Sequence, residues 1–222
     1  MDQSVDKATA ATTVYEKLRH DILAGDLKPG EKLGIEAISS RYATGLNPVR
    51  EALNRLSSEG LVDRKERRGF FVPPLSIENL RELVKTRCWL EGKALQESIE
   101  HRTSVWEERI VLSFHRLSRT PWSLPEKGSI TTNPEWERYH YAFHLALISG
   151  CGSERLIEFC KEMMDQAVRY RNISVSQTYP HRNTIEEHRE IMDAALDGDI
   201  DSATERLRAH YRRTLKALED QI

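Results

Sequence analysis

Apolar residues recur every three or four positions along most of this chain, which is the spacing of amphipathic helices. In the first third of the sequence this spacing predicts two helices, at 13–24 and at 35–42. A third helix is predicted to begin at Asn47, whose side chain can cap it, with Pro48 at the first helical position. Gly60 ends that helix, because glycine adopts the left-handed conformation of a helix C-terminus at little cost.

A short hairpin with a basic turn is predicted directly after the third helix. Leu61 and Val62 open its first strand, and residues 69–72 return as its second. The turn between them carries four basic side chains, those of Arg64, Lys65, Arg67 and Arg68. This layout is typical of a winged helix-turn-helix, in which one helix enters the major groove of DNA and the wing contacts the backbone. The alternative is an ordinary surface helix followed by an ordinary hairpin.

Two adjacent prolines mark a predicted domain boundary. Pro73 and Pro74 cannot continue a strand ladder, so residues 73–76 are predicted to be a linker. The predicted domains on either side span 11–72 and 77–219. Residues 1–10 are polar and are expected to be disordered.

The second domain is predicted to be helical throughout. The helical spacing recurs in six segments, at 76–101, 103–118, 134–149, 153–171, 184–197 and 201–219. Loops are predicted at 120–132 and 172–183, and strand signals are absent after Val72. The predicted fold class is therefore mostly α: a winged helix-turn-helix with a small β wing, followed by an all-α helical bundle.

Charge changes this picture only locally. The formal net charge of the 222 residues is −2, but between Arg41 and Arg68 seven basic residues face four acidic ones. Affinity for DNA phosphates depends on such a local face. The candidate DNA-binding residues are Asn47, Arg50, Asn54, Arg64, Lys65, Arg67, Arg68 and Gly69. Because the surplus is small, we expect a homodimer that places two copies on double-stranded operator DNA.

Other functional classes find little support in the sequence. The three cysteines form no CxxC pair, the N-terminus lacks the apolar run of a signal peptide, and no segment is long and apolar enough to span a membrane. We therefore expect a cytoplasmic protein without a membrane partner. A Gly-rich phosphate loop and a nucleophile elbow are also absent, so the protein is not expected to be an enzyme.

Histidines in the second domain provide the candidate chemistry. His140 and His144 are four residues apart on one predicted helix, and His188 and His210 lie on the last two. Imidazoles presented from facing helices are a recurrent way to build a metal site, and neutral imidazole suits Zn, Ni and related ions. The alternative is that these are surface or core histidines with ordinary hydrogen-bond partners.

The first domain closely resembles the GntR family of bacterial transcription regulators. The resemblance rests on GDLKPGEKL at 25–33, PVREALNRL at 48–56, EGLV at 59–62 and RGFFV at 68–72. It implies a DNA-binding regulator. Members of this family usually carry Ser-Arg-Thr before the Pro-Val-Arg string, and that Arg contacts DNA. Here the three positions are Gly45, Leu46 and Asn47, so the resemblance leaves Arg50 as the principal contact on this helix.

The second domain resembles the FCD ligand-sensing domain of one GntR subfamily. The matching strings are RCWLE at 87–91, FHLALISGCGS at 143–153, EHREIMDAALDGD at 187–199 and AHY at 209–211. In that subfamily the bundle commonly holds a divalent metal on one Asp and three His. The three His positions map onto His144, His188 and His210, whereas the Asp position is His140 here. A four-His set favours Zn, Ni or Cu over Mg or Ca. We expect Zn, with Ni, Mn or Fe as alternatives.

The resemblance also implies an effector. In such domains a small organic acid completes the coordination of the metal, and an Arg supplies a bidentate clamp for its carboxylate. Arg87 matches the pocket Arg of the family, whereas Arg169 and Arg171 are weaker candidates. The strings HYAFH at 140–144 and GCGS at 150–153 resemble most the carbon-starvation and glutarate type of FCD repressor.

Three functions remain open at this point. The favoured one is a regulator, expected to be a repressor, whose operator affinity is controlled by a small carboxylate at the metal site. In the second, the metal itself is the signal. The third is a helical-bundle metalloenzyme, which is disfavoured because no Glu-x-x-His pair of the di-iron type is found on two helices.

Overall fold

The computed structural model describes residues 9–126, 129–178 and 182–219, without the side chains of 125, 126, 129–131 and 172–178. The chain divides into two compact units, which meet in sequence between Leu75 and Ser76. The predicted fold class is confirmed: a winged helix-turn-helix with a small antiparallel sheet is followed by a helical domain. In the described part of the chain, no helix combines the length and apolar character that crossing a membrane requires.

The first unit contains three helices and a three-stranded sheet. Its helices are α1 (Ala10–Ala24), α2 (Ile35–Arg41) and α3 (Leu46–Ser58), and its strands are β1 (Lys32–Leu33), β2 (Asp63–Lys65) and β3 (Gly69–Phe71). The strand order is β1-β3-β2, with both pairs antiparallel. The predicted apolar stripes, including Val14, Leu18 and Leu53, are buried together in one hydrophobic core. Burial of these stripes holds the three helices against the sheet.

One local prediction for this unit is wrong, and one short strand lies outside what the sequence predicts. Asn47 is not the cap of α3, because the helix begins at Leu46 with Gly45 at the N-cap and no side-chain capping bond. Pro48 does not prevent this earlier start, since the first turn of a helix leaves its N–H groups unpaired in any case. The strand β1 was not predicted either, and two residues are too short to show a strand alternation.

The second unit is built from six helices and one hairpin within its described residues. The helices are α4 (Ile77–Glu100), α5 (Ser104–Arg119), α6 (Pro134–Ile148), α7 (Glu154–Thr178), α8 (Thr184–Asp197) and α9 (Ile200–Leu218). Strands β4 (Ser123–Glu126) and β5 (Ser129–Thr132) pair antiparallel. Helix α4 packs against α7 and α9, α5 packs against α6 and α8, and α8 packs against α9. These contacts bring α6, α8 and α9, which carry the four histidines, to one region.

The helix ends follow the predicted signals. Ser76 caps α4 by accepting a hydrogen bond of 3.1 Å from the Asn79 backbone N–H. Asn133 caps α6 in the same way, with Pro134 in the first turn. Gly198 ends α8 with a φ of 77°, a left-handed conformation that costs glycine little.

Two predicted loops of this unit are wrong. The segment 120–132 contains the β4–β5 hairpin, in which Pro125 is tolerated because both strands are edge strands. The segment predicted as a loop at 172–183 is helical up to Thr178, since neither Gly nor Pro interrupts the sequence before Pro180. The end of that predicted loop, at 179–181, lies outside the described residues.

Candidate nucleic-acid interface and metal centre

A concave basic surface lies between α3 and the hairpin of β2 and β3. Six of the candidate DNA-binding residues line it: Arg50, Asn54, Arg64, Lys65, Arg67 and Gly69. Helix α3 buries Val49 and Leu53, and Arg50 is exposed on the flank of this buried face. Asn47 and Arg68 do not line this groove; Asn47 is exposed in the first turn of α3, and Arg68 lies 5.9 Å from the ring of Phe71.

The hairpin turn presents its cations through an unusual backbone conformation. Arg67 has a φ of 58° and Gly69 a φ of 95°, and the Arg68 N–H donates to the Lys65 carbonyl at 3.0 Å. Positive φ values are rare for residues other than glycine, so this turn is tight. The result is that Arg64, Lys65 and Arg67 reach the same groove as Arg50.

Not every basic residue of this unit is available to a phosphate. Arg55 pairs with Glu59 at 3.3 Å and lies 3.8 Å from the centre of the Tyr15 ring, and Arg41 pairs with Asp21 at 2.6 Å. By contrast, no ion pair among the described residues engages the side chains of Arg50 or Arg67. The groove therefore presents the cations of Arg50 and Arg67 without an ion-pair partner among the described residues, beside the acidic side chain of Glu66.

The four histidines form one buried cluster. His140 and His144 come from α6, His188 from α8 and His210 from α9, and one nitrogen of each lies within 4.8 Å of the others. The Nε2 atom of His144 is 3.1 Å from that of His140 and 3.3 Å from that of His188. Nitrogens bound to a tetrahedral Zn²⁺ at about 2.0–2.1 Å stand roughly 3.3 Å apart. The cluster therefore has the spacing of a metal site and could bind a metal.

Hydrogen bonds at the outer nitrogens fix the tautomers of three of these imidazoles. The Nδ1–H of His188 donates to the Thr184 carbonyl at 2.6 Å, and the Nδ1–H of His210 donates to a Glu187 carboxylate oxygen at 2.8 Å. The Tyr211 hydroxyl donates to Glu91 at 2.5 Å, so it accepts from the Nδ1–H of His144 at 3.1 Å. Each of these rings then directs an unprotonated Nε2 into the cluster.

This arrangement could hold a cation at its centre. The Nε2 atoms of His144 and His188 both carry lone pairs, so their 3.3 Å approach is not a hydrogen bond and is repulsive by itself. A metal ion that accepts both lone pairs removes the repulsion. A hydrogen bond from the outer ring nitrogen is the usual support of a metal-bound histidine.

His140, the residue that replaces the expected Asp, is held differently. Its ring stacks on Trp136 with centroids 4.6 Å apart, and its buried Nδ1 has no hydrogen-bond partner among the described residues. The nearest carboxylate oxygen, on Glu137, is 3.9 Å away. The tautomer of His140 is therefore not fixed, and this ring can donate its Nε2–H to His144 or coordinate a metal.

Three buried or half-buried ion pairs surround the cluster. Arg87 pairs with Glu91 through Nε at 2.6 Å, Arg171 with Glu137 through Nε at 3.1 Å, and Arg182 with Glu187 through Nη2 at 2.7 Å. Each pair is neutral as a whole. The surroundings of the four neutral imidazoles therefore carry no net charge to compensate a bound cation.

The candidate effector arginines do not all reach the same place. Arg87 and Arg171 line a small cavity together with His210 and Tyr211, and the Arg87 guanidinium lies 4.0 Å from the centre of the Tyr211 ring. Arg169 is buried but does not line this cavity. The volume of the cavity is about 20 Å³, which accommodates roughly one water molecule. A larger ligand would have to displace side chains.

Sequence reasoning missed the residues that support the cluster. Arg182 was assigned to a loop, yet it donates to the His210 carbonyl at 3.0 Å and to the Thr214 hydroxyl at 2.9 Å. The sequence pattern assigns no role to Glu91 or Glu187. A usable signal existed, because Glu91 follows Arg87 by four residues on the same helix face.

Burial keeps all four histidines neutral. It lowers the pKa of His140, His144 and His210 well below 6.5, and the neighbouring histidines lower it further. Burial likewise lowers the pKa of His188, to about 4, against the opposing hydrogen bond to Thr184. Neutral imidazoles are the form that binds metals.

The stability of the metal-free protein is predicted to fall as the pH is lowered from about 6.5 toward 4. In that range the unfolded chain binds protons on these histidines while the folded chain does not, so acid favours unfolding. Urea denaturation of chelator-treated protein at pH 7.5, 6 and 5 measures the effect. A free energy of unfolding that stays constant over this range would contradict the burial of four neutral imidazoles.

A basic recognition groove in one unit and a candidate metal centre in the other define a DNA-binding regulator with a sensing domain. Comparison with known proteins supports this class. The family of bacterial regulatory proteins named gntR matches residues 10–72, and the FCD domain, which often binds metals, matches residues 82–213. The chain belongs to the GntR family of transcription regulators and carries an FCD domain.

Relatives and solved structures agree with this assignment. The chain is 37% identical to the HTH-type transcriptional regulator BphR of Paraburkholderia xenovorans (strain LB400), over 92% of this chain and 83% of that protein. It is 32% identical to the HTH-type transcriptional repressor GlaR of Escherichia coli (strain K12), over 94% and 95%. The structure of E. coli McbR/YncC has the same fold, with a TM-score of 0.74 and 23% identity over 96% and 99%.

Proposed function

We propose that the protein is a transcriptional repressor whose operator affinity is controlled by a small carboxylate, bound at a metal ion that His140, His144, His188 and His210 hold. One observation supports this proposal above the others: at least three unprotonated Nε2 atoms converge at the spacing of metal ligands. The bound metal supplies positive charge and open coordination positions for an anion. The narrower resemblance to the carbon-starvation and glutarate type stays a prediction.

Charge favours a carboxylate as the effector. The histidines are neutral, and the Arg87, Arg171 and Arg182 pairs with glutamates are neutral as well. A divalent metal therefore leaves two positive charges in a buried site, and burying uncompensated charge is costly. An Asp ligand would cancel one of these two positive charges, whereas the neutral imidazole of His140 cancels neither. The site therefore favours an effector with two negative charges over one with a single charge.

Zn²⁺ is the metal that this donor set suits best. Four imidazole nitrogens with near-tetrahedral spacing suit Zn²⁺, and Ni²⁺, Mn²⁺ or Fe²⁺ are the alternatives. The hard oxygen-preferring ions Mg²⁺ and Ca²⁺ are disfavoured, because no carboxylate oxygen is directed at the four Nε2 atoms within the described residues.

A second candidate function is favoured by the size of the cavity. Its volume of about 20 Å³ does not admit an organic acid without rearrangement. If the metal fills the site alone, the metal itself is the signal and the protein is a metal sensor. The metalloenzyme alternative gains nothing from the structure, and the relatives are regulators, so we propose that the protein is not an enzyme.

Two further parts of the proposal concern DNA. A groove with few free cations favours a homodimer that binds two half-sites of an operator in the bacterial cytoplasm. The linker at 73–76 is short, and we propose that an effector-induced shift of α4 changes the spacing of the two recognition helices. An effector acts only through different affinities for two conformations.

A thermal-shift screen separates the two candidates. Protein loaded with Zn²⁺ and protein treated with a chelator are each mixed with monocarboxylates and dicarboxylates. The proposal expects stabilisation by a dicarboxylate in the loaded protein only, whereas a metal sensor is stabilised by metal and by none of the acids. If an acid stabilised both samples to the same extent, the effector would not bind at the metal.

Removing Arg87 is predicted to make the protein insensitive to the effector. Because Glu91 is buried and pairs with Arg87, the single Arg87→Ala variant leaves a buried charge unpaired, which costs about 3–5 kcal/mol. The double variant Arg87→Met, Glu91→Gln removes both charges together and avoids this cost, and Arg81→Met, at an exposed arginine on the same helix, is its control. We expect the double variant to bind operator DNA with wild-type affinity and the carboxylate at least tenfold more weakly. If calorimetry gave the double variant wild-type affinity for the carboxylate, Arg171 or Arg182, and not Arg87, would be the residue that binds it.

A further inference from the structure

A chain of buried hydrogen bonds leads from the histidine cluster to the Arg87–Glu91 pair. The Nδ1–H of His144 donates to the Tyr211 hydroxyl at 3.1 Å, and this hydroxyl donates to Oε2 of Glu91 at 2.5 Å. Glu91 in turn accepts from Nε and Nη2 of Arg87, at 2.6 and 3.2 Å. All four residues are buried, so solvent does not compete for these bonds. The chain therefore joins α6, α9 and α4.

The direction of these bonds is set at the Glu91 end. An ionised carboxylate only accepts hydrogen bonds, and a tyrosine hydroxyl carries a single proton. The proton of Tyr211 therefore points to Glu91, and a lone pair of its oxygen faces His144. The imidazole of His144 then carries its proton on Nδ1 and keeps Nε2 free for a metal. In the described ranges no hydrogen bond or ion pair links Glu91 directly to a histidine, so its influence on this tautomer passes through Tyr211.

We propose that Tyr211 is a positioning residue that couples the metal ligand His144 to the Arg87–Glu91 pair. A metal on Nε2 polarises the Nδ1–H of His144, and the bonds of such a chain strengthen one another. Tyr211 then donates more strongly to Glu91, which weakens the hold of this carboxylate on Arg87. Metal binding in this way prepares the Arg87 guanidinium for a carboxylate ligand. The inference deepens the proposed function and rests on its metal site.

The ring of Tyr211 contacts the far end of the chain as well. The Arg87 guanidinium lies 4.0 Å from the centre of this ring, within the range of a cation–π interaction. Both side chains line the small cavity beside the cluster. A guanidinium that Glu91 holds less tightly is therefore kept at the cavity by the ring.

Competition with a chromophoric chelator measures the Zn²⁺ affinity of the full-length protein and its variants. Tyr211→Phe removes only the hydroxyl and is expected to weaken Zn²⁺ binding about 10- to 100-fold, the usual effect of losing an outer-shell partner. Tyr170→Phe is the matched control, because this tyrosine is also buried in the second unit but its hydroxyl donates to the Ser76 carbonyl. We expect the control to bind Zn²⁺ with wild-type affinity.

A double-mutant cycle tests the coupling. Coupling between two sites is reciprocal, so altering the Arg87–Glu91 pair must alter the Zn²⁺ affinity. The combined change Arg87→Met, Glu91→Gln is expected to weaken Zn²⁺ binding in the wild-type background and to have no further effect in Tyr211→Phe. An equal loss in both backgrounds would show that the pair acts by another route and would overturn the inference. Unchanged Zn²⁺ affinity in the wild-type background would overturn it too.

Proton–nitrogen correlation spectra of metal-free protein give a readout that a loss of packing does not imitate. They distinguish the protonated from the unprotonated nitrogen of an imidazole. We expect His144 to be protonated on Nδ1 in the wild-type protein and on Nε2 in Tyr211→Phe, where an Nδ1 proton has lost its acceptor. An Nε2 proton on wild-type His144, or wild-type Zn²⁺ affinity in Tyr211→Phe, would overturn the role of Tyr211 and leave the proposed metal site standing. A wild-type protein that binds no Zn²⁺ would overturn both.

Discussion

Replacing His188 with alanine is expected to abolish stoichiometric metal binding, from about one ion per chain to a trace. The imidazole of His188 supplies one of the inward lone pairs, and its Nε2 lies 3.3 Å from that of His144. Its ring is fully buried and is oriented by the Thr184 carbonyl, so no neighbouring side chain replaces it. Elemental analysis of protein purified without a histidine tag measures the loss.

Loss of the ion is expected to lower stability as well. Binding to the folded state alone stabilises it by about 4 kcal/mol when the free metal is 1,000 times its dissociation constant. The thermal midpoint of wild-type protein should therefore fall on chelation, whereas that of His188→Ala should not change. His101→Ala, at an exposed histidine near the end of α4, is the matched control and should keep its metal. Full metal content in His188→Ala would show that His188 is not a ligand of the metal.

Replacing Arg50 with alanine is expected to lower operator affinity by about 1–3 kcal/mol, which corresponds to roughly 5- to 150-fold, if its guanidinium contacts a base in the bidentate manner. Arg50 is exposed on α3 and lines the groove with the wing residues. Because Leu46, which is 42% exposed, stands where the family resemblance implies an Arg, we expect Arg50 to carry more of the contact. Fluorescence anisotropy with a fragment of the protein's own promoter measures the loss.

A second variant separates base contacts from phosphate contacts. Arg67→Ala, at the wing turn, should weaken binding to all sequences about equally and reduce the salt dependence of the affinity by about one ion. Arg55→Ala is the matched control. Arg55 lies on α3, as Arg50 does, but its guanidinium pairs with Glu59 and stacks on Tyr15. If the Arg50→Ala, Arg67→Ala double variant bound the promoter fragment with wild-type affinity, this groove would not be the DNA interface.

Much of the fold could be predicted because the signals are local. The apolar stripe of α3 and the caps at Ser76 and Asn133 depend on residues within one or two turns. The errors lie where local signals compete. Helix α3 begins before Asn47 because capping is not obligatory, and α7 continues to Thr178 because nothing in the sequence stops it.

The candidate site could be predicted only in part, since its ligands are far apart in sequence. The i, i+4 pair of His140 and His144 predicts one face, but only the packing of α8 and α9 brings His188 and His210 to it. The tautomers depend on partners such as Tyr211, which no spacing identifies. The pairing of Arg87 with Glu91 depends on burial of both side chains, which changes how the candidate clamp has to be tested.

The most direct test of the central proposal is the affinity for promoter DNA of metal-loaded and metal-free protein, each with and without the dicarboxylate found by the thermal-shift screen. We predict that the dicarboxylate weakens DNA binding by the metal-loaded protein about 5- to 150-fold, the usual range of such couplings. It should have no effect on the metal-free protein. An equal effect on both samples, or none on either, would contradict the proposal that a metal-bound carboxylate controls DNA binding.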